Sequence, residues 1–284
     1  MQSIGILSAA TVSFETLDRP GLKVRYEAPL KGAAEDLAAT FPAVEAELAE
    51  LFGWHLSQRP TVMLIQNGEI FRRLADHPLI TAFAVPSENL IVLDFGKLAG
   101  RPVHFRSVLK HEVVHLFLHV NHSGGALPKW LEEGVAQWAS EGVAELIEQP
   151  QPSLLEDAVL SGGLIPLSAL RDRFPTDSRM LLLAYEESHR VVSYIVETYG
   201  RSSLIEILTD IQRGSDVDAA FYRSLSAFPW EIERQWIAGQ NRGTAWLTYL
   251  AGHLYQFLFF LGALLTVAGF VRFRLKKRAY VDEE

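Results

Sequence analysis

His111-Glu112-Val113-Val114-His115 is the stretch of this chain whose residue types and spacing speak most directly of chemistry. On a helix, two histidines four residues apart project from one face and can share one metal ion. Glu112 sits one residue on, about 100° around the helix, where it can take a proton from an activated water without itself being a ligand. The flanking Val108, Leu109, Val113, Val114, Leu116 and Phe117 are apolar, as a helix buried on most sides requires. The plainer reading of the same five residues is a buried helix carrying two hydrogen-bonded histidines.

A catalytic zinc needs a third protein ligand and a fourth position for water. The metzincin continuation, H-E-x-x-H-x-x-G-x-x-H, would need glycine at 118 and histidine at 121, where the chain has Leu118 and Asn121. His119 and His122 read as helix-end or surface histidines. His119 lies one turn too far along to share an ion with both His111 and His115. After the turn chemistry of Asn121-His122-Ser123-Gly124-Gly125, a second helix is expected, with Pro128 near its first turn. A carboxylate from that helix, Glu132 or Glu133, can approach the first from the side and complete a His-His-Glu set.

Pro128-Lys129-Trp130-Leu131-Glu132-Glu133-Gly134-Val135-Ala136 reads P-x-W-L-x-E-G-x-A. Together with H-E-x-x-H, it resembles the gluzincins, the zinc peptidases that include thermolysin and the aminopeptidase N family. The likeness is greatest to bacterial peptidase MA-like domains and covers roughly residues 20–240. The resemblance implies one zinc per chain held by His111, His115 and Glu133, with Glu112 as general base. Glu132 stands where the aminopeptidases usually have asparagine. Ala184-Tyr185-x-x-Ser188 resembles the gluzincin helix that carries a catalytic tyrosine, which implies that Tyr185 hydrogen-bonds the oxyanion. A buried aromatic with a satisfied hydroxyl is the plain alternative. His189, one turn on, is a candidate accessory donor. Gluzincins bind extended substrate on an edge strand just before the zinc helix, which the resemblance places at Leu90–Leu93 or its partner strand. Glu88-Asn89 has the end of the aminopeptidase G-x-M-E-N motif without its glycine and methionine, and reads as a hairpin turn.

The elements that must position these residues follow in chain order. Thr11–Phe14 and Leu22–Tyr26 read as strands around Asp18-Arg19-Pro20-Gly21. Ala33–Phe52 is a helix with Leu37, Phe41, Val44, Leu48 and Leu51 on one stripe and Pro42 as a potential break. Pro60–Ile65 is a strand, Gly68–Asp76 a short helix, and Thr81–Val85 with Leu90–Leu93 a hairpin. Arg101–Ser107 leads into the zinc helix. Glu148–Ser153 reads as a linker and Ile165–Leu170 as the start of a short helix. Leu181–Tyr199, Ser202–Gln212, Val217–Leu225 and Trp230–Ala238 form a helical C-terminal half.

Composition limits the partners. The chain has 284 residues, enough for a proper core, and no cysteine, which excludes disulfides and thiolate metal sites. Residues 243–284 carry five Arg/Lys against three acids, so the net charge of −8 leaves −10 on residues 1–242. No nucleic-acid partner is expected for so acidic a domain. Trp246–Val271 contains no charged residue, and its 26 residues would span about 39 Å as a helix, against a hydrocarbon core of ~30 Å. Trp246, Tyr249 and Tyr255 lie at one end and Arg272, Arg274, Lys276, Lys277 and Arg278 at the other.

The expected architecture is α+β: a zincin-like domain with a small mixed sheet on an active-site helix, a helical C-terminal half and one C-terminal transmembrane helix. The parts are 1–150 with both ligand helices, 151–242 as a helical subdomain, 246–271 as the span and 272–284 as a tail. The expected function is a membrane-anchored zinc metallopeptidase acting on peptides or proteins. A non-catalytic binding or scaffold protein on the same fold, and an aminopeptidase, are the alternatives. The positive-inside bias puts the C-terminus in the cytoplasm and the peptidase domain outside, although no basic, apolar signal peptide is recognisable at the start.

Overall fold

The computed structural model describes residues 13–75, 77–100, 102–119, 127–142, 154–240 and 254–281. Strands β1 (Phe14–Arg19) and β2 (Leu22–Glu27) form an antiparallel hairpin in which Arg19 pairs with Leu22. The turn shrinks to Pro20-Gly21, with Gly21 at φ 79°, a left-handed position that glycine takes at no steric cost. Asp18 and Arg19, expected in the turn, are therefore strand residues. Hydropathy hides β1 because its FETLDR sequence is mostly exposed. Of the strand expected at Thr11–Phe14, residues 11 and 12 lie outside the described residues.

Helix α1 (Lys31–Phe52) runs through Pro42 without ending. Leu37, Phe41, Val44 and Leu48 are buried as the stripe requires, but Phe52 rather than Leu51 closes it. Strands β3 (Thr61–Ile65), β4 (Ala82–Val85) and β5 (Leu90–Asp94) complete a five-stranded sheet of order β1-β2-β3-β5-β4. β2, β3 and β5 run parallel, and antiparallel strands flank them at both edges. β3 and β5 are buried on both faces, which is why β5 reads L-I-V-L-D without alternation. Helix α2 (Gly68–Leu74), capped by Asn67, covers one side, where Phe71 packs with Met63, Ile65, Val85, Leu90 and Val92. The short α3 (Phe95–Leu98) follows β5.

Helix α4 (Pro102–His119) absorbs the segment expected as a lead-in, and α5 (Lys129–Ala139) follows it. Asn121–Gly125 and Glu148–Ser153 lie outside the described residues. Helices α7 (Ser178–Tyr199), α8 (Arg201–Gln212), α9 (Val217–Leu225) and α10 (Pro229–Gly239) match the expected helical half. Asp177 caps α7, its side chain accepting from Met180 N–H, and Gly200 ends it. Residues 167–170 form turns, not a helix. Pro166 and the capture of the Ile165 and Leu167 N–H groups by glutamates (Glu187 at 3.1 Å, Glu233 at 2.8 Å) account for that. These elements, up to residue 142 and from 165 to 236, belong to one compact unit.

A second unit holds α6 (Leu154–Ser161), which sequence reading missed, and α11 (Leu254–Val281). α6 is only eight residues long, too short for its periodicity to stand out. The membrane span expected over 246–271 is not reproduced as such. Among the described residues no helix is long and apolar enough to cross a membrane. α11 begins eight residues after Trp246, and Tyr255 and Gln256 interrupt its first turn. Its charge-free part, Leu254–Val271, covers about 27 Å before Arg272. Residues 246–253 lie outside the described residues.

Candidate metal centre

α4 is buried almost all round from Val108 to Leu118, and both of its ends are tied down. Near the start, Arg106 and Lys110 pair with Glu47 of α1, Lys110 at 3.3 Å. At the far end, the buried Gln212 of α8 donates to the carbonyls of Phe117 and Leu118, both at 3.2 Å. Two of the carbonyls that a helix end leaves unpaired are thereby satisfied, and the last turn is fixed.

α5 is positioned differently. It has no side-chain N-cap, and its first N–H groups are taken by the 170–171 turn: Lys129 to Arg171 O at 2.6 Å and Trp130 to Leu170 O at 3.1 Å. Its glycine then allows close approach to α7. A Cβ on Gly134 would collide with the Ser188 carbonyl and stand 2.7 Å from Val192 Cγ2. One turn on, Gln137 Nε2 donates to Tyr185 O at 2.9 Å.

These constraints bring the three expected ligands together. His111 Nε2 and His115 Nε2 are 3.3 Å apart, and Glu133 Oε2 is 3.4 Å from the first and 3.7 Å from the second. Among the described residues this is the group able to hold a metal ion, with its donor atoms all within 4.8 Å of one another. Glu133 is 2% exposed, and its Oε2 is buried with no hydrogen-bond partner among the described residues. A buried carboxylate oxygen left without a donor, facing two imidazole nitrogens, is the arrangement a cation would satisfy. Two imidazoles and one carboxylate also match the donor set of catalytic zinc, so the residues fit the ion.

Glu132 is the neighbour that sequence reading left without a task. Its Oε1 lies 2.9 Å from His115 Nδ1, which fixes the imidazole and turns Nε2 toward Glu133. Burial works against its charge, but the hydrogen bond and charge of His115, and then Lys129, overcome this and hold the carboxyl at about 2. Burial likewise opposes the charge of Glu133, and the Lys129 and His115 charges pull its carboxyl below the usual range. For His115, burial favours the neutral ring, but Glu133 and Glu132 together raise its pKa. Lys129 Nζ is 2.6 Å from Glu133 Oε1 and 3.7 Å from Glu132 Oε2. The K-x-x-E-E spacing, with pairs at i,i+3 and i,i+4, was the available signal.

Glu112 is fully buried on α4. Tyr185 is buried on α7, its ring edge-on to Phe174 at 5.0 Å, in a cluster with Leu181, Leu182, Leu79 and Ile80. His189 lies apart from the ligands, its ring against Gly142 beyond the end of α5. His119 Nδ1 donates to the His115 carbonyl (2.9 Å) and is no part of the ligand group; His122 lies outside the described residues.

β4, the partner of Leu90–Asp94, is the edge strand, so one side of its backbone is left unpaired by the sheet. The segment entering it is held by Lys97, whose Nζ donates to Pro78 O and Ile80 O at 3.1 Å each and lies 3.6 Å from the buried Asp94. Glu88 is exposed in the 3-10 turn Pro86–Glu88.

Comparisons with known proteins agree with this fold. Over 82% of its length the chain is similar in structure to yeast LTA4 hydrolase in complex with bestatin, at TM-score 0.51 and 12% identity. Over 81% it is similar to an M1 zinc metallopeptidase from Deinococcus radiodurans, at TM-score 0.50 and 14% identity. At such identities the likeness is one of fold. The chain spans only 39% and 53% of those two structures. No curated protein matches the sequence. The sequence profile of the Peptidase MA superfamily matches residues 80–238, more than half of the chain and the whole of the His111–His115–Glu133 cluster, and the chain therefore belongs to that superfamily.

Proposed function

We propose that the protein is a zinc metallopeptidase hydrolysing peptide bonds, with His111, His115 and Glu133 as ligands and Glu112 as general base. The observation that carries this is the unpartnered, buried Oε2 of Glu133 facing Nε2 of both histidines. Zinc bound there would polarise the scissile carbonyl and lower the pKa of a water. Glu112, adjacent to His111 and fully buried, takes that water's proton and delivers it to the leaving amine. Tyr185 donates its phenol hydrogen to the oxygen that becomes negative. The free side of β4 pairs with the backbone of an extended peptide and sets its direction. Glu132 holds the His115 ring in its tautomer throughout.

Metal analysis of the purified chain with a parallel peptide-cleavage assay tests this reading. About one zinc per chain and chelator-sensitive cleavage are expected. Stoichiometric zinc with no cleavage of any peptide library would favour the non-catalytic binding protein instead. The aminopeptidase variant of the reading predicts that blocking a substrate's N-terminus abolishes cleavage.

We further propose that residues 246–271 tether the domain to a bilayer, with the C-terminus cytoplasmic. α11 supports this by exposing Leu258, Phe259, Phe260, Leu264, Leu265, Val267 and Phe270, an apolar surface that water penalises. The charge-free part of the described helix, Leu254–Val271, falls short of a hydrocarbon core, and the eight uncharged residues before it would complete the length. Five basic residues from Arg272 to Arg278 set the orientation. Protease added to spheroplasts carrying tags at both ends tests it. A protected N-terminal tag with an accessible C-terminal tag would reverse the orientation, and alkaline extraction into the soluble fraction would remove the tether.

A further inference from the structure

Lys129 opens α5 two residues before the Leu131-Glu132-Glu133 run, and its ammonium reaches both acids. Nζ lies 2.6 Å from Glu133 Oε1 and 3.7 Å from Glu132 Oε2. The two oxygens of Glu133 thus have different surroundings. Oε1 is held by a cation, while Oε2 has no hydrogen-bond partner among the described residues and lies 3.4 Å and 3.7 Å from the two imidazole Nε2 atoms. We propose that Lys129 is a positioning residue of the metal centre, holding Glu133 Oε1 so that the carboxylate offers the ion a single oxygen, Oε2.

The inference rests on the metal reading above and deepens it. A carboxylate can bind a metal through one oxygen or both, and binding through both would add a fifth ligand beside the two imidazoles and the water that a four-coordinate catalytic zinc keeps. Bringing Oε1 to the ion would break a contact between full charges in a site where Glu133 is 2% exposed and little water could compensate. The same ammonium lies between two adjacent carboxylates, of which Glu132 is already committed to His115 Nδ1 at 2.9 Å. Its positive charge offsets the repulsion between the two neighbouring carboxyl groups. Helical spacing makes this local: i,i+3 to Glu132 and i,i+4 to Glu133.

The test compares the full chain with Lys129→Met and Lys129→Arg, each loaded with zinc or with cobalt(II) as a spectroscopic stand-in. Zinc affinity is read by chelator competition and coordination number by the visible absorption of the cobalt form. Lys129→Met is expected to weaken zinc binding about 10- to 100-fold. Its cobalt spectrum is expected to lose intensity as the centre passes from four ligands to five, a change that loss of general stability would not produce. Lys129→Arg, which keeps the charge, should restore both. Lys129→Gln gives the same comparison if Lys129→Met fails to fold. An unchanged spectrum with affinity within about twofold of the parent overturns the proposal while leaving the metal reading intact. A parent chain that binds neither ion overturns the metal reading, and the proposal with it.

Discussion

Gly134 and Ser188 meet so closely that a single methyl group cannot fit between α5 and α7. A Cβ on Gly134 would collide with the Ser188 carbonyl, which is backbone and cannot swing aside. Gly134 directly follows Glu133, so the spacing of the two helices and the position of the Glu133 carboxylate are set together. Gly134→Ala should lower Tm by roughly 5 °C or more and reduce zinc content at the same time. Gly32→Ala is the control: that glycine lies inside α1 with nothing within 4 Å of an added Cβ, and alanine there should be neutral or slightly stabilising. Equal effects of the two changes in thermal melts would mean that close packing at Gly134 is not what matters.

Glu133 and Glu132 are neighbours with different tasks, and amide substitutions separate them. Glu133→Gln removes the anionic oxygen facing His111 and His115 and should reduce bound zinc by a hundredfold or more in affinity, as order of magnitude. Glu132→Gln keeps an oxygen able to accept from His115 Nδ1 and should cost about tenfold at most. Metal content after dialysis against a weak chelator reads both. The opposite ranking would make Glu132 the ligand.

Much of this centre was legible in the chain because its chemistry is local. H-E-x-x-H places His111, Glu112 and His115 by helix geometry alone, and P-x-W-L-x-E-G-x-A carries the Glu133 carboxylate and its glycine in one turn. The supports were less visible because they depend on contacts distant in sequence. Gln212 reaches the end of α4 from 94 and 95 residues away, and nothing in its neighbourhood marks it as a cap. Strand β2 lies where expected, but β1 reaches further along the chain than its hydropathy suggests, because polar Asp18 and Arg19 look like turn residues, yet Pro20-Gly21 is a sufficient turn. For the substrate strand, hydropathy could not tell β4 from β5, since only the pairing of β5 with β3 makes β4 the edge.

Glu112 and Tyr185 should change turnover without changing metal content. Glu112→Gln keeps the size of the side chain and removes its basicity, so bound zinc should persist while peptide hydrolysis falls below detection. Tyr185→Phe keeps the ring against Phe174 and should lower kcat by about 10²-fold with little change in KM. Retained hydrolysis in the first variant would remove Glu112 as base. An unchanged kcat in the second would return Tyr185 to a packing role.

Glu187 gives the domain a pH dependence that is separate from the ligands. Its carboxylate is 1% exposed on α7, and both oxygens accept from the Ile165 N–H at 3.1 Å. Burial is the main cause of its raised pKa, with Glu233 and Glu186 adding to it against the Ile165 hydrogen bond, and the carboxyl is pushed up to about 8. In the unfolded chain the group titrates near the ordinary value of 4.5. The folded state therefore holds a proton between these values that the unfolded state has lost. Its contribution is fully present below pH 4.5 and disappears as pH rises through about 8. Glu187→Gln mimics the protonated form at every pH and can still accept from Ile165. The two proteins should melt together near pH 5, and the variant should melt higher by about 3 °C or more near pH 9. Taking the difference between them cancels the pH dependence of metal binding, which both share. A difference that stays flat from pH 5 to 9 would mean that Glu187 is ionised throughout, its charge met by a contact stronger than the Ile165 N–H.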